Sequence, residues 1–355
     1  MNMKRVLYFF HSPRREVYRA IMRGEEKNDG KLLGMKRLAK YSYKADLREL
    51  EDYLPKNVAR WVYRHILNVY AVHLPLFFCM FGYDVVFSAT AFSNLLLKAL
   101  LGIRRPHWVI FDFGLDGLLG DGKTLKQRAL RYAIAQGADG IVCLSNGEAE
   151  ALRARFPAKA ARIIVVPHGV ATEYFTPRPS VPEERSIFSP GRDIGRDFAT
   201  LFAATAGLEV PVLITAPQSH LTNLLPLPPF VTQRNLSNEE MLDAYARAAI
   251  VVLPITLLNH SNDASGCSTL IEALSMGRAV IATHTKTMEG YIEDGVNGVL
   301  VPPEDPEALR RAIESLLADP ARRTALGQRA RERAERELAA DRFAEALARF
   351  FDSLG

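Results

Sequence analysis

Cysteine is scarce and follows no pattern. Cys79, Cys143 and Cys267 are spread over 355 positions. An odd count at such spacing fits neither a disulfide framework nor a metal motif. No metal site is therefore expected, and a reducing cytoplasm is. The chain also lacks any uninterrupted apolar run of ~18 residues, the length a membrane-spanning helix needs. The opening residues 1–10 are basic, then apolar, but His11, Pro13, Arg14 and Arg15 end the run too early for a signal peptide. They read as a buried first strand. No internal repeat or low-complexity tract is present. Acidic residues are short in the first half: residues 1–178 hold 28 Lys and Arg against 16 Asp and Glu, and residues 179–355 hold 17 against 24. The first half is either a solvated basic surface or one that faces an anion, such as a membrane leaflet, a lipid-linked phosphate, an acidic glycan or nucleic acid.

What remains is an ordinary globular mixture, 48% apolar and 24% charged. Its length suits about two domains. Short β runs alternate with helix-period segments, which argues for α/β architecture with parallel sheets. In the first half strands are expected over 6–10, 84–88, 108–111, 140–144 and 163–166. Helices are expected over 94–101, 125–136 and 146–155, the last capped by Ser145 with Glu148 three residues on. Residues 12–70, rich in Lys, Arg and Tyr, show no clean strand. Residues 69–83 are very apolar and read as a buried helix or as a surface that dips into a bilayer. The proline-rich stretch 176–185 marks a linker. Beyond it, strands are expected over 186–189, 212–216, 250–254 and 279–283. Helices are expected over 197–206, 238–248, 306–317 and 321–351. The loops after Ser189, Ala216, Pro254 and Thr283 should gather at one sheet edge.

Three of these loops carry chemistry. In residues 261–283 a polar, glycine-bearing loop runs into a short helix that stops at Gly277. Free N–H groups near Ser265, Gly266 and Ser268 suit an anion, and Glu272 sits a turn or two inside the helix. A nucleotide needs both, a dipole for its phosphates and an acceptor for its ribose hydroxyls. In residues 189–197 Arg192 and Arg196 flank a glycine turn, either as a diphosphate clamp around Gly191 or as surface arginines. In residues 166–175 Gly169 permits close backbone approach to a ligand; His168 alone is more often structural than catalytic. Residues 117–124 match the phosphate-loop spacing G-x4-G-K-T. The strand before them ends too soon, so the match reads as coincidence.

Residues from about 160 to 355 resemble the C-terminal half of a retaining GT-B glycosyltransferase of the large family 4 type. The resemblance rests on "VVPHGV…YF", "SPGRDIGRDFATL", "LSNEEMLDAYARAAIVVLPI", "TLIEALSMGRAVIAT" and "IEDGVNGVLVPPEDPEAL" in that order, and "DGIVCLSNGEAEAL" extends it into the first half. It implies two Rossmann-like domains facing a cleft. The first is an acceptor-side domain over 1–176 and the second a donor-binding domain over 177–340, with residues 341–355 packing back on the first. It implies that Arg192 and Arg196 hold the diphosphate, that Glu272 binds the ribose, and that Thr269 and Leu270 line the nucleotide pocket. The pattern departs at three places. The first Glu of the family's E-x7-E motif falls at Ala264, with Asp263 beside it. The glycine loop after the first strand is replaced by His11–Arg15. The family's cleft His is absent, and Asp112 stands near its place, where it either touches donor hexose or acceptor or caps a strand end.

The resulting expectation is hexosyl transfer from a UDP- or GDP-sugar to a hydroxyl acceptor, with retention and without a metal or other cofactor. The acceptor is a glycan, a lipid-linked molecule or a small molecule. The protein is placed in the cytoplasm, with an anionic membrane surface as a partner of the basic half and nucleic acid as an unfavoured one. The alternatives are a nucleotide-sugar epimerase, a non-catalytic nucleotide- or glycan-binding protein and, last, a phosphate-loop NTPase.

Overall fold

The structure, a computed structural model, describes residues 3–10, 12–65, 73–112, 114–192, 195–256 and 266–355. Two compact units emerge, Met1–Val166 with Ala340–Gly355, and Pro167–Ala339. Each is built on one parallel sheet.

In the first unit the strands are β1 (Lys4–Phe9), β2 (Tyr43–Leu47), β3 (Val85–Ser88), β4 (His107–Phe111), β5 (Gly140–Cys143) and β6 (Ile163–Val165). Their order is β2-β1-β3-β4-β5-β6. This is a doubly wound arrangement that changes direction between β1 and β3. Helices cover both faces, so strands such as β3 and β5 are buried at every residue and read as continuous apolar runs. Trp108, fully buried, lies in the core beside Leu95, Leu130 and Ile134. The helix Ala340–Asp352 belongs to this unit. Its Phe351 ring packs on Tyr43 and Phe87, and its Phe343 ring on Phe111.

The first unit corrects two expectations. Residues 12–70 do contain a strand, the edge strand β2. Its sequence Tyr-Lys-Ala-Asp-Leu puts two charges in five residues, and only pairing with β1 reveals it. The same region is tied by a buried ion pair, Arg37 Nε to Asp29 Oδ2 at 2.8 Å, which no local periodicity announces. Of the apolar stretch 69–83, residues 69–72 lie outside the described residues. The rest is not a buried α-helix. Leu74–Gly82 is a 3₁₀ helix with Pro75 in its first turn. Its three-residue period buries Leu76, Phe77 and Met80 and leaves Phe78 and Phe81 exposed.

The second unit has β7 (Glu184–Ser189), β8 (Val212–Ile214), β9 (Val231–Gln233), β10 (Ala248–Leu253), β11 (Ala279–Thr283) and β12 (Val299–Val301). The order β9-β8-β7-β10-β11-β12 is the Rossmann order, with its switch point between β7 and β10. The strands β9 and β12 escape the sequence reading. The single helix expected over 321–351 is two, Pro320–Glu337 and Ala340–Asp352. They part where Leu338 O accepts the Val170 N–H and Ala339 bridges Val170. Among the described residues no helix is long and apolar enough to cross a membrane.

Candidate functional site

The carboxyl ends of β7 and β10 meet at the switch point of the second sheet. After β7 the chain turns at Gly191, whose φ is +134°. Its N–H donates to Thr215 Oγ1 at 2.9 Å, just beyond β8. A Cβ on Gly191 would lie 2.3 Å from Arg196 Nε, so the guanidinium fills the space that any side chain would need. Arg196 is fixed through its own backbone. It bridges Ile255 after β10, and the flanking Asp197 N–H and Thr256 N–H donate to Pro254 O and Gly195 O at 3.0 and 2.9 Å. Asp197 then caps the helix Phe198–Thr205 by accepting from Thr200 N–H.

The Arg196 side chain is buried and reaches the start of another helix, Cys267–Ser275. Its Nη2 donates to Thr269 Oγ1 at 2.6 Å, and that hydroxyl donates to Gly266 O at 2.9 Å. Gly266 has φ +85°. A Cβ there would stand 3.1 Å from Arg196 Nη1. Tyr245, from the helix Asn238–Arg247, donates to Glu272 Oε2 at 2.9 Å and lies 3.3 Å from Thr269 O. Burial, reinforced by the Glu272 carboxylate, holds the Tyr245 pKa well above its usual value, so the phenol stays a donor. A buried guanidinium against glycine backbone, beside the positive end of a helix, is an anion-binding arrangement. The carboxylate beyond it is an acceptor with a fixed orientation.

The structure thus brings Gly191, Arg196, Gly266, Thr269 and Glu272 together. Arg192 and Ser268 are exposed, and Leu270 is fully buried. Asp263 and Ser265 lie outside the described residues. His168 and Gly169 are buried; the His168 N–H donates to Tyr291 Oη at 3.0 Å. Burial pushes the His168 pKa down to about 4, so its imidazole is neutral. Thr215, Tyr245 and Tyr291 were missed in the sequence. Only the position of Tyr245 on the apolar face of the helix 238–247 pointed inward, and nothing marked it as a polar contact.

Asp112 belongs to the first unit, at the end of β4. It is 1% exposed, and its Oδ1 accepts the Leu115 N–H at 2.7 Å, the geometry of a cap for the helix Leu115–Leu119. Burial raises its pKa to about 6. The match to a phosphate loop fails here on physical grounds. The first three residues of the match, Gly117, Leu118 and Leu119, lie inside the helix Leu115–Leu119 and do not form a loop that follows a strand. Carbonyls of the rest are taken by the protein's own cations: Arg131 donates to Gly120 O at 2.7 Å, Arg155 to Gly120 O at 2.7 Å and Arg128 to Gly122 O at 3.2 Å. A phosphate cradle needs N–H groups facing inward.

Comparison with known proteins bears on family and fold. Residues 40–174 match the family "Glycosyltransferase Family 4", and residues 230–333 match "Glycosyl transferases group 1". The chain is 27% identical over 241 residues to D-inositol 3-phosphate glycosyltransferase of Kineococcus radiotolerans, covering 57% of this chain and 54% of the relative. It is 25% identical over 294 residues to the protein of that name from Corynebacterium urealyticum, covering 72% and 68%. The first match thus spans only about half of the relative's length. In fold it is similar to Anabaena HepE in complex with UDP-glucose, with TM-score 0.71, 14% identity, and 98% of this chain and 99% of that one covered. In its motifs, its sheet order and these likenesses the chain is similar to family 4 and group 1 glycosyltransferases, and its fold is of the GT-B type.

Proposed function

We propose that the chain moves a hexose from a UDP- or GDP-sugar to a hydroxyl acceptor, with retention at the anomeric carbon. The observation that carries the reading is the Arg196 guanidinium, buried between Gly191, Gly266 and Thr269 at a helix start. In this reading the unit Pro167–Ala339 is the donor side and the other unit the acceptor side. As the anomeric C–O bond breaks, negative charge grows on the departing diphosphate. Arg196, at the start of the helix 267–275, is set in advance to receive it, so little reorganisation is needed, and Arg192 and the N–H groups near Ser265–Ser268 join it in this reading. A new C–O bond forms to the acceptor, and its hydroxyl proton leaves with the nucleoside diphosphate. Two guanidinium groups supply the neutralisation that a divalent ion would give, so transfer is metal-independent. Glu272, oriented by Tyr245, accepts the ribose hydroxyls, and Thr269, Leu270 and Gly169 line the pocket. Asp263 takes the part of the carboxylate missing at Ala264. His168, being neutral, offers a hydrogen bond and no charge. Asp112 is a positioning residue that holds the start of the helix 115–119.

The acceptor is an alcohol on a glycan, a lipid-linked carrier or a small molecule. Relatives that act on an inositol phosphate and a neighbour that holds UDP-glucose support the pairing of hydroxyl acceptor and UDP-sugar. The basic first half fits an anionic surface, which suits a cytoplasmic enzyme working at a membrane. Titration calorimetry with UDP, GDP and UDP-glucose tests the site: equal affinities in the wild type and Arg196→Ala would reject it. The anomer of the product, read by NMR, tests retention. The absent carboxylate at Ala264 favours one second reading, nucleotide-sugar binding without transfer. Tight UDP-sugar binding with no turnover on any acceptor would select it.

A further inference from the structure

Apart from the donor site, the first unit exposes aromatic surface that its own fold does not cover. On the 3₁₀ helix Leu74–Gly82, residues three apart share a ridge. Phe78 and Phe81 stand on that ridge 80% and 50% exposed, with ring centroids 6.4 Å apart. The helix Lys56–His65 adds Val58 and Trp61, 40% and 53% exposed. Both helices seat their buried sides, Ala59 on one and Leu76, Phe77 and Met80 on the other, in the same core cluster. Tyr53 links them. It follows a 3₁₀ turn that touches the helix 56–65, and its hydroxyl lies 3.1 Å from Cys79 Sγ on the helix 74–82.

Charge selects the partner. Between residues 53 and 83 the sequence holds Lys56, Arg60 and Arg64 and no acidic residue. The acids that flank this stretch are engaged, Asp52 by Arg15 and Asp84 by the Arg5 N–H. Lys56 shares its charge with Glu16. Residues 1–65 as a whole carry 16 Lys and Arg against 8 Asp and Glu. Exposed Phe and Trp side chains beside Lys and Arg are the composition of a segment that lies in the headgroup region of an anionic leaflet. A second copy of this basic face would meet its own charge. We propose that the face formed by Phe78, Phe81, Val58 and Trp61 docks the protein on an anionic bilayer. This rests on the membrane-surface reading of the basic half given above, names the residues that carry it, and does not need the transfer step.

The chain carries its own reporter. It has two tryptophans, Trp108 fully buried and Trp61 exposed. The full chain is sedimented with vesicles of phosphatidylcholine alone and of phosphatidylcholine with phosphatidylglycerol, at about 50 mM and about 500 mM salt. The expected result is binding to the anionic vesicles at low salt, several-fold weaker at high salt, with a blue shift of Trp61 emission. Phe78→Ser with Phe81→Ser should lower the partition at least about tenfold while the far-UV spectrum and UDP binding stay as in the wild type. Lys56→Glu with Arg60→Glu should lower binding to the anionic vesicles and leave these solution properties alone. The proposal is overturned if anionic vesicles fail to sediment the folded protein, or if both double variants bind them like the wild type. It is equally overturned if the Phe variant turns a dimer into a monomer without touching vesicle binding. Loss of UDP binding in the wild type would count against the transfer reading and leave this test intact.

Discussion

At the carboxyl edge of the β7–β12 sheet a buried guanidinium lies against glycine backbone and the start of a helix. At the same edge of the β1–β6 sheet two carboxyl groups are buried around a thiol. Asp112 follows β4, Cys143 ends β5, and Glu148 lies in the first turn of the next helix, which Ser145 caps; Glu148 Oε2 accepts the Leu144 N–H at 3.0 Å. Both sheets are parallel and six-stranded, so topology alone offers both edges to a ligand. The side chains divide the labour. One edge is prepared for an anion, and the other holds acids whose charge burial disfavours.

The units also differ in how they are held. In the second, the turn at Gly191 and the cap at Asp197 are close in sequence, and the helix 267–275 follows β10, the neighbour of β7 in the sheet. In the first, the opening region relies on a buried pair, Asp29 with Arg37, with the Arg37 guanidinium also 3.3 Å from Asp341 in the last helix. Removing one partner strands a buried charge. Asp29→Ala should therefore cost the first unit about 3–5 kcal/mol. Both tryptophans lie in that unit, so their fluorescence in urea follows it alone. A loss near zero would mean that the region is held by apolar packing and that the contrast is overstated. The matching change in the second unit is Arg196→Ala, which should lower turnover about 10²–10³-fold with little effect on the tryptophan-detected transition.

This contrast accounts for what the sequence discloses. The helix Asn146–Arg155 and the strand Ala279–Thr283 have the bounds expected of them, because caps and apolar runs act within a few residues. The glycine–arginine turn and the loop before Cys267 can be picked out as candidates because helix starts and φ-positive glycines leave marks. Which arginine is buried was not legible: Arg192 and Arg196 look alike in the sequence, and only the bridge to Ile255 turns Arg196 inward. Tyr245 was hidden for a similar reason, since its partner Glu272 is 27 residues away. The strand β2 was illegible because an edge strand with charges needs its neighbour to exist.

A smaller effect probes orientation within the donor site. Glu272→Gln keeps the shape and removes the charge that a ribose hydroxyl would meet. Loss of one charge-assisted hydrogen bond weakens binding by about 1.5–3 kcal/mol, so UDP affinity should fall about 10–100-fold. Tyr245→Phe should give a fraction of this, because the carboxylate remains but loses its fixed orientation. Unaltered UDP affinity in both variants would detach the carboxylate from the nucleotide and leave the anion site without its second element.

The smallest expected effect tests the other edge. Burial raises Glu148 to about 8 and Asp112 to about 6, and the Asp112 carboxylate raises Glu148 further. Ordinary carboxyl groups release their protons near pH 4 when unfolded. Between pH ~4 and ~8 the folded state thus binds more protons than the unfolded state, so stability falls as pH rises through this window and levels off above it. Glu148→Gln removes the ionisation but keeps an acceptor for the Leu144 N–H and leaves the Ser145 cap in place. The variant should match the wild type at pH ~5 and exceed it by about 1–2 kcal/mol at pH ~8.5, read by tryptophan fluorescence in urea. Parallel pH profiles for the two proteins would show that water reaches the pair. The acidic edge would then be an open surface, unlike the buried guanidinium of the other sheet, and its carboxyl groups would carry their charge freely.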